Sequence, residues 1–209
     1  MDVSVWFALM VLFLSGGLTP GPAVMLVVTS SLRHGFRPAL LPALGISTAN
    51  LIWIALAALG LVALMAAVPG LLNAVKLIGI GFIIYLAWGM ALAGPRDLKS
   101  KGLESRKAVS LFGQGVGLQL ANPNALVFFG LMLPFYFDAE RALAPQIAII
   151  MATVTATEMF GLSLYAALAD RLARRFKDPR FAKGFNRGAA ALMLASGLYA
   201  LWSTRAVGI

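Results

Sequence analysis

The chain has 209 residues, of which 60% are hydrophobic, with a mean hydropathy of +0.87. Only 12% are charged, half the roughly 25% of a soluble domain, which excludes both an ordinary water-soluble globule and a disordered chain. With no Cys and one His, His34, disulfides, thiolate metal sites, thiol redox chemistry and a multi-His metal centre are excluded as well.

Six uncharged or nearly uncharged stretches follow one another along the chain. A helix needs about 20 apolar residues to cross a hydrocarbon core of ~30 Å. The first run, 3–32, has no Asp, Glu, Lys or Arg and predicts a span over 4–31. It lacks the positive n-region of a signal peptide and is too long for an h-region, so it reads as a retained span. The second run opens at Pro38 and predicts a span over 40–67. Pro69-Gly70 then punctuates the apolar stretch, and a third span follows over 71–93. The fourth is expected over 111–136, the fifth over 145–169 and the sixth over 186–203. The runs are continuous rather than alternating, which speaks against a β-barrel.

Fourteen of the seventeen Lys and Arg fall in three of the connections, 1–2, 3–4 and 5–6. By the positive-inside rule these loops are cytoplasmic and both termini outside. The net charge of +9 is therefore a topology signal, with anionic lipid rather than nucleic acid as the partner of the basic loops. A five-span arrangement, with span one or six not crossing, is the alternative.

Three spans per half means that a duplicated unit inserts with opposite orientation, the inverted-repeat plan of many transporters. The expected organisation is a first three-helix repeat over 1–95, a basic linker over 96–110 and a second repeat over 111–209. Span one is interrupted by Thr19-Pro20-Gly21-Pro22 and span four by Asn122-Pro123-Asn124, at similar depths in their runs. Proline removes a backbone N–H and clashes with the carbonyl one turn back. Freed backbone groups at membrane depth must be buried in protein or line a wet cavity. Half-helix ends there suit an amino acid, which carries an anionic and a cationic group. The bland alternative is a Pro kink in a packed helix.

Glu158 sits near the middle of span five with no Lys or Arg within ten residues. A charge at that depth costs at least about 2.5–3.5 kcal/mol, so the residue is a candidate proton carrier. Otherwise it is a neutral structural acid making one interhelical hydrogen bond. Asn50 lies in span two, 108 residues before Glu158, and is its near counterpart if the halves superpose. It is a candidate substrate ligand or interhelical glue. Gln114 and Gln119 precede the second interruption and either line the same path or pack. Lys76 is expected to snorkel to the outer interface and His34 to be a solvated loop residue. The small residues of span six, Gly188 to Ala191 and Ala195 to Gly197, permit close helix approach, for bundle packing or a dimer interface.

These marks together resemble the lysine exporter / homoserine–threonine resistance (LysE/RhtB) family of amino-acid exporters, over essentially the whole chain. Leu18-Thr19-Pro20-Gly21-Pro22 looks like the family's first-span motif. Gly35 with Ala43-Leu44-Gly45-Ile46 is similar to the start of its second span. Lys76-Leu77-Ile78-Gly79 with Tyr85-Leu86 and Gly89 looks like its third. Ala121-Asn122-Pro123-Asn124-Ala125 resembles its Asn-Pro-Lys motif, and Asn186-Arg187-Gly188 with Gly197-Leu198 its sixth span. Three positions depart from the pattern. Asn124 stands where the family usually has Lys, and Glu158 and Asn50 each stand where many members have Asp.

The resemblance implies an all-α integral membrane protein, with Pro-broken helices one and four facing each other. It implies proton-driven export of amino acids or related small metabolites across the cell inner membrane. The residues expected at the midplane site are Thr19, Pro20, Gly21, Pro22, Asn50, Asn122, Pro123 and Asn124, with Glu158 carrying the proton. A neutral amino acid is the expected substrate, since one buried acid is available. No cofactor or metal is expected. An electron conduit of similar plan would need paired cysteines, and an intramembrane enzyme would need a catalytic group beyond a lone carboxyl and a loop His. A passive channel or scaffold is the remaining alternative.

Overall fold

The computed structural model describes residues 1–60, 71–92, 105–122, 125, 128–138, 140–173 and 178–206. Helix α1, Val3–Leu18, stops before Pro20, and α2, Pro22–His34, restarts with proline at its first position. Gly21 between them is extended, with φ −154° and ψ −172°, and its carbonyl accepts the Met25 N–H at 2.9 Å, the first bond of α2. Proline suits that first position because its missing N–H would have no partner there anyway. At the other end of α2, Gly35 adopts φ +91°, a conformation that a β-carbon disfavours. The chain turns there directly into α3, Phe36–Ala58.

Helix α3 ends earlier than the expected 67. Leu59 and Gly60 form a turn, with Gly60 at φ +90°, inside an apolar run that carries no charge to mark it. The Pro69-Gly70 punctuation lies outside the described residues. Helix α4 spans Leu71–Ala91 and α5 Ser105–Leu120. Beyond the second interruption the chain is wound unevenly, with a π-helical turn at Phe128–Met132 and a 3₁₀ turn at Leu133–Tyr136. Helix α6 covers Leu143–Leu172 and α7 Pro179–Ala206. The basic residues Arg180, Lys183 and Arg187 thus belong to the first turns of α7 rather than to a loop.

No strand occurs among the described residues, and the protein is all-α over them. Two helices there, Phe36–Ala58 and Leu143–Leu172, are long and apolar enough to cross a membrane.

The contacts fix the relative directions of the helices. Trp6 and Gly17 of α1 meet Thr153 and Thr157–Gly161 of α6 in ascending order. Further along, Val24 and Val27 of α2 pack with Leu162, and Leu32 with Ala169. The broken first segment therefore runs parallel to α6. Helices α3 and α5 are also parallel: Pro42 and Gly45 meet Phe112 and Gly115, and Asn50 and Trp53 meet Gln119. At one end of the bundle α2 and α6 finish while α3, α5 and α7 begin, with Leu32, Ala169 and Ala182 packed together. At the opposite end Arg141 bridges Asp2 and Asp138 at 2.7 and 2.9 Å.

The α3–α5 crossing is closest where neither helix has a side chain. A β-carbon on Gly45 would overlap the Phe112 carbonyl, and one on Gly115 the Pro42 carbonyl. Small residues of this kind let backbones approach and gain dispersion contact, which drives helix association where lipid is as apolar as the protein. Gly161 repeats the device against the Gly17 carbonyl of α1, at 2.8 Å from an added β-carbon.

Candidate functional site

Two apolar clusters bracket a polar layer. On one side Leu9, Trp53, Ile54, Phe129, Ile150 and Val154 pack together. On the other are Val24, Val27, Ile46, Leu162 and Ala166. Asn50 of α3 lies between Ile46 and Ile54, and Glu158 of α6 between Val154 and Leu162, so both sit at the boundary.

Four side chains join hands across that layer. Asn122 Nδ2 donates to Gln119 Oε1 at 3.2 Å, and Gln119 Nε2 to Asn50 Oδ1 at 2.6 Å. Asn50 Nδ2 donates to Glu158 Oε2 at 2.8 Å. Every amide in this chain donates in the same sense, and the last acceptor is the carboxyl. Asn50 is almost fully buried, at 1% exposure, where an amide left without partners would cost about 1–3 kcal/mol. Trp53 Nε1 donates to the Gln119 backbone carbonyl at 3.2 Å and anchors the end of α5.

The chain of amides forms one wall of a cavity of about 670 Å³. A second wall is the helix break: Thr19, Pro20, Gly21 and Pro22 all line it, followed by Ala23 and Val24. The first-turn amides of α2 have no intrahelical partner and carry the positive end of its dipole. Thr19 Oγ1 is turned back onto the Ser15 carbonyl at 2.8 Å, and Tyr165 OH donates to the Leu18 carbonyl at 2.7 Å, tying the end of α1 to α6. Carbonyls freed by the break are thus partly satisfied by neighbouring side chains. The remaining wall is apolar, formed by Leu12, Phe13, Ala125, Phe128, Phe129, Leu162 and Ala195.

Of the residues singled out from the sequence, Thr19, Pro20, Gly21, Pro22, Asn50, Asn122 and Glu158 meet at this cavity. Pro123 and Asn124 lie outside the described residues. Gln119 joins the cavity while Gln114 does not; its amide donates to Ser110 Oγ one turn back at 3.3 Å. His34 closes α2 and is half-buried, and the Lys76 side chain lies outside the described set. Sequence reasoning did not find Phe13, Phe128 and Phe129. The only signal was the Phe128-Phe129 pair shortly after the second interruption. Among the described residues no cluster of His, Cys, Asp and Glu could hold a metal ion.

Comparison with known proteins extends this picture. The chain is 27% identical over 195 residues to the homoserine/homoserine lactone efflux protein of Salmonella typhimurium, covering 92% of this chain and 93% of the relative. It is 26% identical over 140 residues to the leucine efflux protein of Klebsiella pneumoniae, covering 66% and 65%. It is 26% identical over 204 residues to an uncharacterized membrane protein of Vibrio cholerae, covering 95% and 97%. No solved structure gives a significant match. The family model described as LysE type translocator matches residues 14–204, and the chain belongs to the LysE family.

Proposed function

We propose that the protein is a secondary active exporter of neutral amino acids or closely related metabolites, driven by the proton motive force across the cell inner membrane. The reading rests above all on one observation: a titratable carboxyl, Glu158, ends a hydrogen-bonded amide chain at a cavity walled by a helix break. The relatives named for efflux of homoserine and leucine support the same class of cargo.

A zwitterion matches the two polar features of the cavity. Its carboxylate suits the free first-turn amides of α2, and its ammonium suits Glu158. The substrate ammonium and a proton then compete for one carboxylate. With the site open to the cytoplasm, ionised Glu158 takes the ammonium. With the site open outward, a proton displaces it, and the neutral acid returns. Alternating access follows from moving one half of the bundle against the other around this point.

The six-span, three-plus-three arrangement is part of the proposal. Exchange of the halves turns the contact between spans one and five into the contact between spans four and two. Both contacts are parallel, and both are made through glycine. The ends of α2 and α6 and the starts of α3, α5 and α7 share one end of the bundle, as expected if the basic loops are cytoplasmic beside anionic lipid and both termini are outside. Single cysteines at positions 2 and 209, probed with an impermeant thiol reagent, test this orientation; labelling of either from the cytoplasmic side overturns it.

Function is tested in proteoliposomes with an imposed pH gradient and a panel of amino acids. Wild-type protein accumulates substrate against its gradient, whereas a passive channel only equilibrates it. Glu158→Gln, which keeps the shape of the side chain, abolishes the response to the pH gradient. A Glu158→Gln protein exporting at the wild-type rate with intact pH dependence removes the proton role.

A further inference from the structure

We infer that the cargo is an amino acid with a large apolar side chain, of the leucine, methionine or phenylalanine type, and that Phe13, Phe128 and Phe129 set this preference. The inference rests on the exporter reading and names its substrate class.

The cavity is amphipathic along its length. Phe13 lies one turn from Gly17 on α1, and Gly17 packs against Thr157 and Glu158. Phe13 and Phe129 belong with the apolar cluster on the α1 N-terminal side of the polar layer. The amides and the carboxyl therefore face one part of the cavity and the aromatic rings another. A zwitterion anchored at Glu158 and the α2 terminus directs its side chain towards the rings.

The aromatic end is held together by its own packing. Phe13 meets Phe128 edge to face, with centroids 5.1 Å apart and planes at 80°. It lies nearly parallel to Phe129 at 5.9 Å and 25°. Phe128 and Phe129 are perpendicular at 5.2 Å. Such arrangements are the favoured ones for aromatic pairs, and mutual packing fixes each ring. Phe128 and Phe129, the first two residues of the π-helical turn, both line the cavity. The volume of about 670 Å³ falls in the roughly 300–1,000 Å³ range of small-molecule pockets and accommodates a side chain larger than that of homoserine. None of these rings carries a hydrogen-bonding group. A hydroxyl delivered there loses water without gaining a partner, whereas an aliphatic or aromatic group gains contact. Apolar pockets discriminate by about tenfold or more per methylene.

The test is counterflow by the full-length protein in proteoliposomes, comparing labelled leucine and phenylalanine with homoserine and threonine. The expected result is a kcat/KM for leucine and phenylalanine at least about tenfold above that for homoserine. Phe13→Ala and Phe128→Ala bring that ratio towards one, mainly through KM for leucine, while Phe13→Leu and Phe128→Leu retain it. Should the alanine variants fail to fold, ligand protection of the wild-type protein against thermal unfolding gives an independent reading, with leucine acting at lower concentration than homoserine. Homoserine or threonine handled as well as leucine overturns the inference and leaves the exporter reading standing. A leucine-to-homoserine ratio unchanged in both alanine variants overturns it in the same way. Transport of no amino acid at all overturns the exporter reading and this inference together.

Discussion

Replacing Gly115 by alanine and, separately, Gly113 by alanine applies the same chemical change to one helix, two residues apart, with opposite expected results. A β-carbon at Gly113 meets nothing within 4 Å. The substitution there removes only the conformational freedom of glycine and stabilises the helix by about 0.5–1 kcal/mol. At Gly115 the new carbon lands on the Pro42 carbonyl oxygen and lies 2.9 Å from both Pro42 C and Cα. Ordinary contact begins near 3.4 Å, so the two carbon contacts alone require α3 and α5 to part by about 0.5 Å, the closer carbonyl oxygen requires more, and the obstacle is backbone that cannot rotate away. Overpacking of this kind costs about 1–3 kcal/mol, which outweighs the gain in helix propensity. With about 2–4 °C of melting temperature per kcal/mol for a chain of this size, Gly113→Ala rises by about 1–4 °C and Gly115→Ala, net of the same propensity gain, falls by several degrees, up to about 10 °C. Intrinsic tryptophan fluorescence in detergent reads both, since Trp53 sits beside the crossing. The same separation stretches the 2.6 Å bond from Gln119 to Asn50, so Gly115→Ala also slows transport. Equal shifts in the two variants, or a Gly115→Ala protein as stable as wild type, refute the close-crossing argument.

Three further substitutions probe other parts of the structure. Asn50→Leu removes the donor to Glu158 and the acceptor for Gln119; thermal unfolding should show a loss of about 1–3 kcal/mol and counterflow at least a tenfold fall, and wild-type transport would reduce the amide chain to a structural role. Gln146 is buried at 2% exposure, and its side chain serves Asp138 N–H and the carbonyls of Asp138, Arg141 and Ala142. Gln146→Leu leaves those groups without it and should cost about 1–3 kcal/mol, with earlier proteolysis near 137–142 as the local readout. Arg141→Ala deletes surface ion pairs with Asp2 and Asp138; each such pair contributes under about 1 kcal/mol, so the melting temperature should move by less than about 4–8 °C.

What could be read in the sequence was local chemistry. Pro20 and Pro22 interrupt a helix wherever they stand, and the break at 19–21 follows from their missing N–H groups alone. Glu158 was conspicuous because nothing in its run shields it, and Asn50 because it is a polar side chain in an uncharged apolar run. The end of α3 was hidden, since its one mark in an uncharged apolar run is Gly60, and a single glycine there does not reveal the positive φ it adopts. The start of α7 at Pro179 was hidden for the opposite reason: basic residues that read as a loop are equally good helix formers. Phe13 and Phe128 were invisible as cavity residues because an aromatic side chain facing lipid and one facing a cavity present the same letter. Gly113 and Gly115 are likewise identical in sequence, and only tertiary packing separates open space from a carbonyl.

The uniform direction of the amide chain has a consequence of its own. A primary amide offers a donor at one tip and an acceptor at the other, so Asn122, Gln119 and Asn50 can be satisfied only if all three point the same way. Reversing any one of them alone sets two donors or two acceptors face to face. Taken by themselves, the three amides have two self-consistent orientations, one ending in a donor at the carboxyl and one in an acceptor, and the structure shows the first. A bare carboxylate admits only the first, because it accepts and never donates, while a protonated acid can also hold the second through its hydroxyl. Asn122, Gln119 and Asn50 thus share one orientation, set by the acceptor at Glu158. One end of that row rests on Glu158 and the other on Asn122, just past the end of α5.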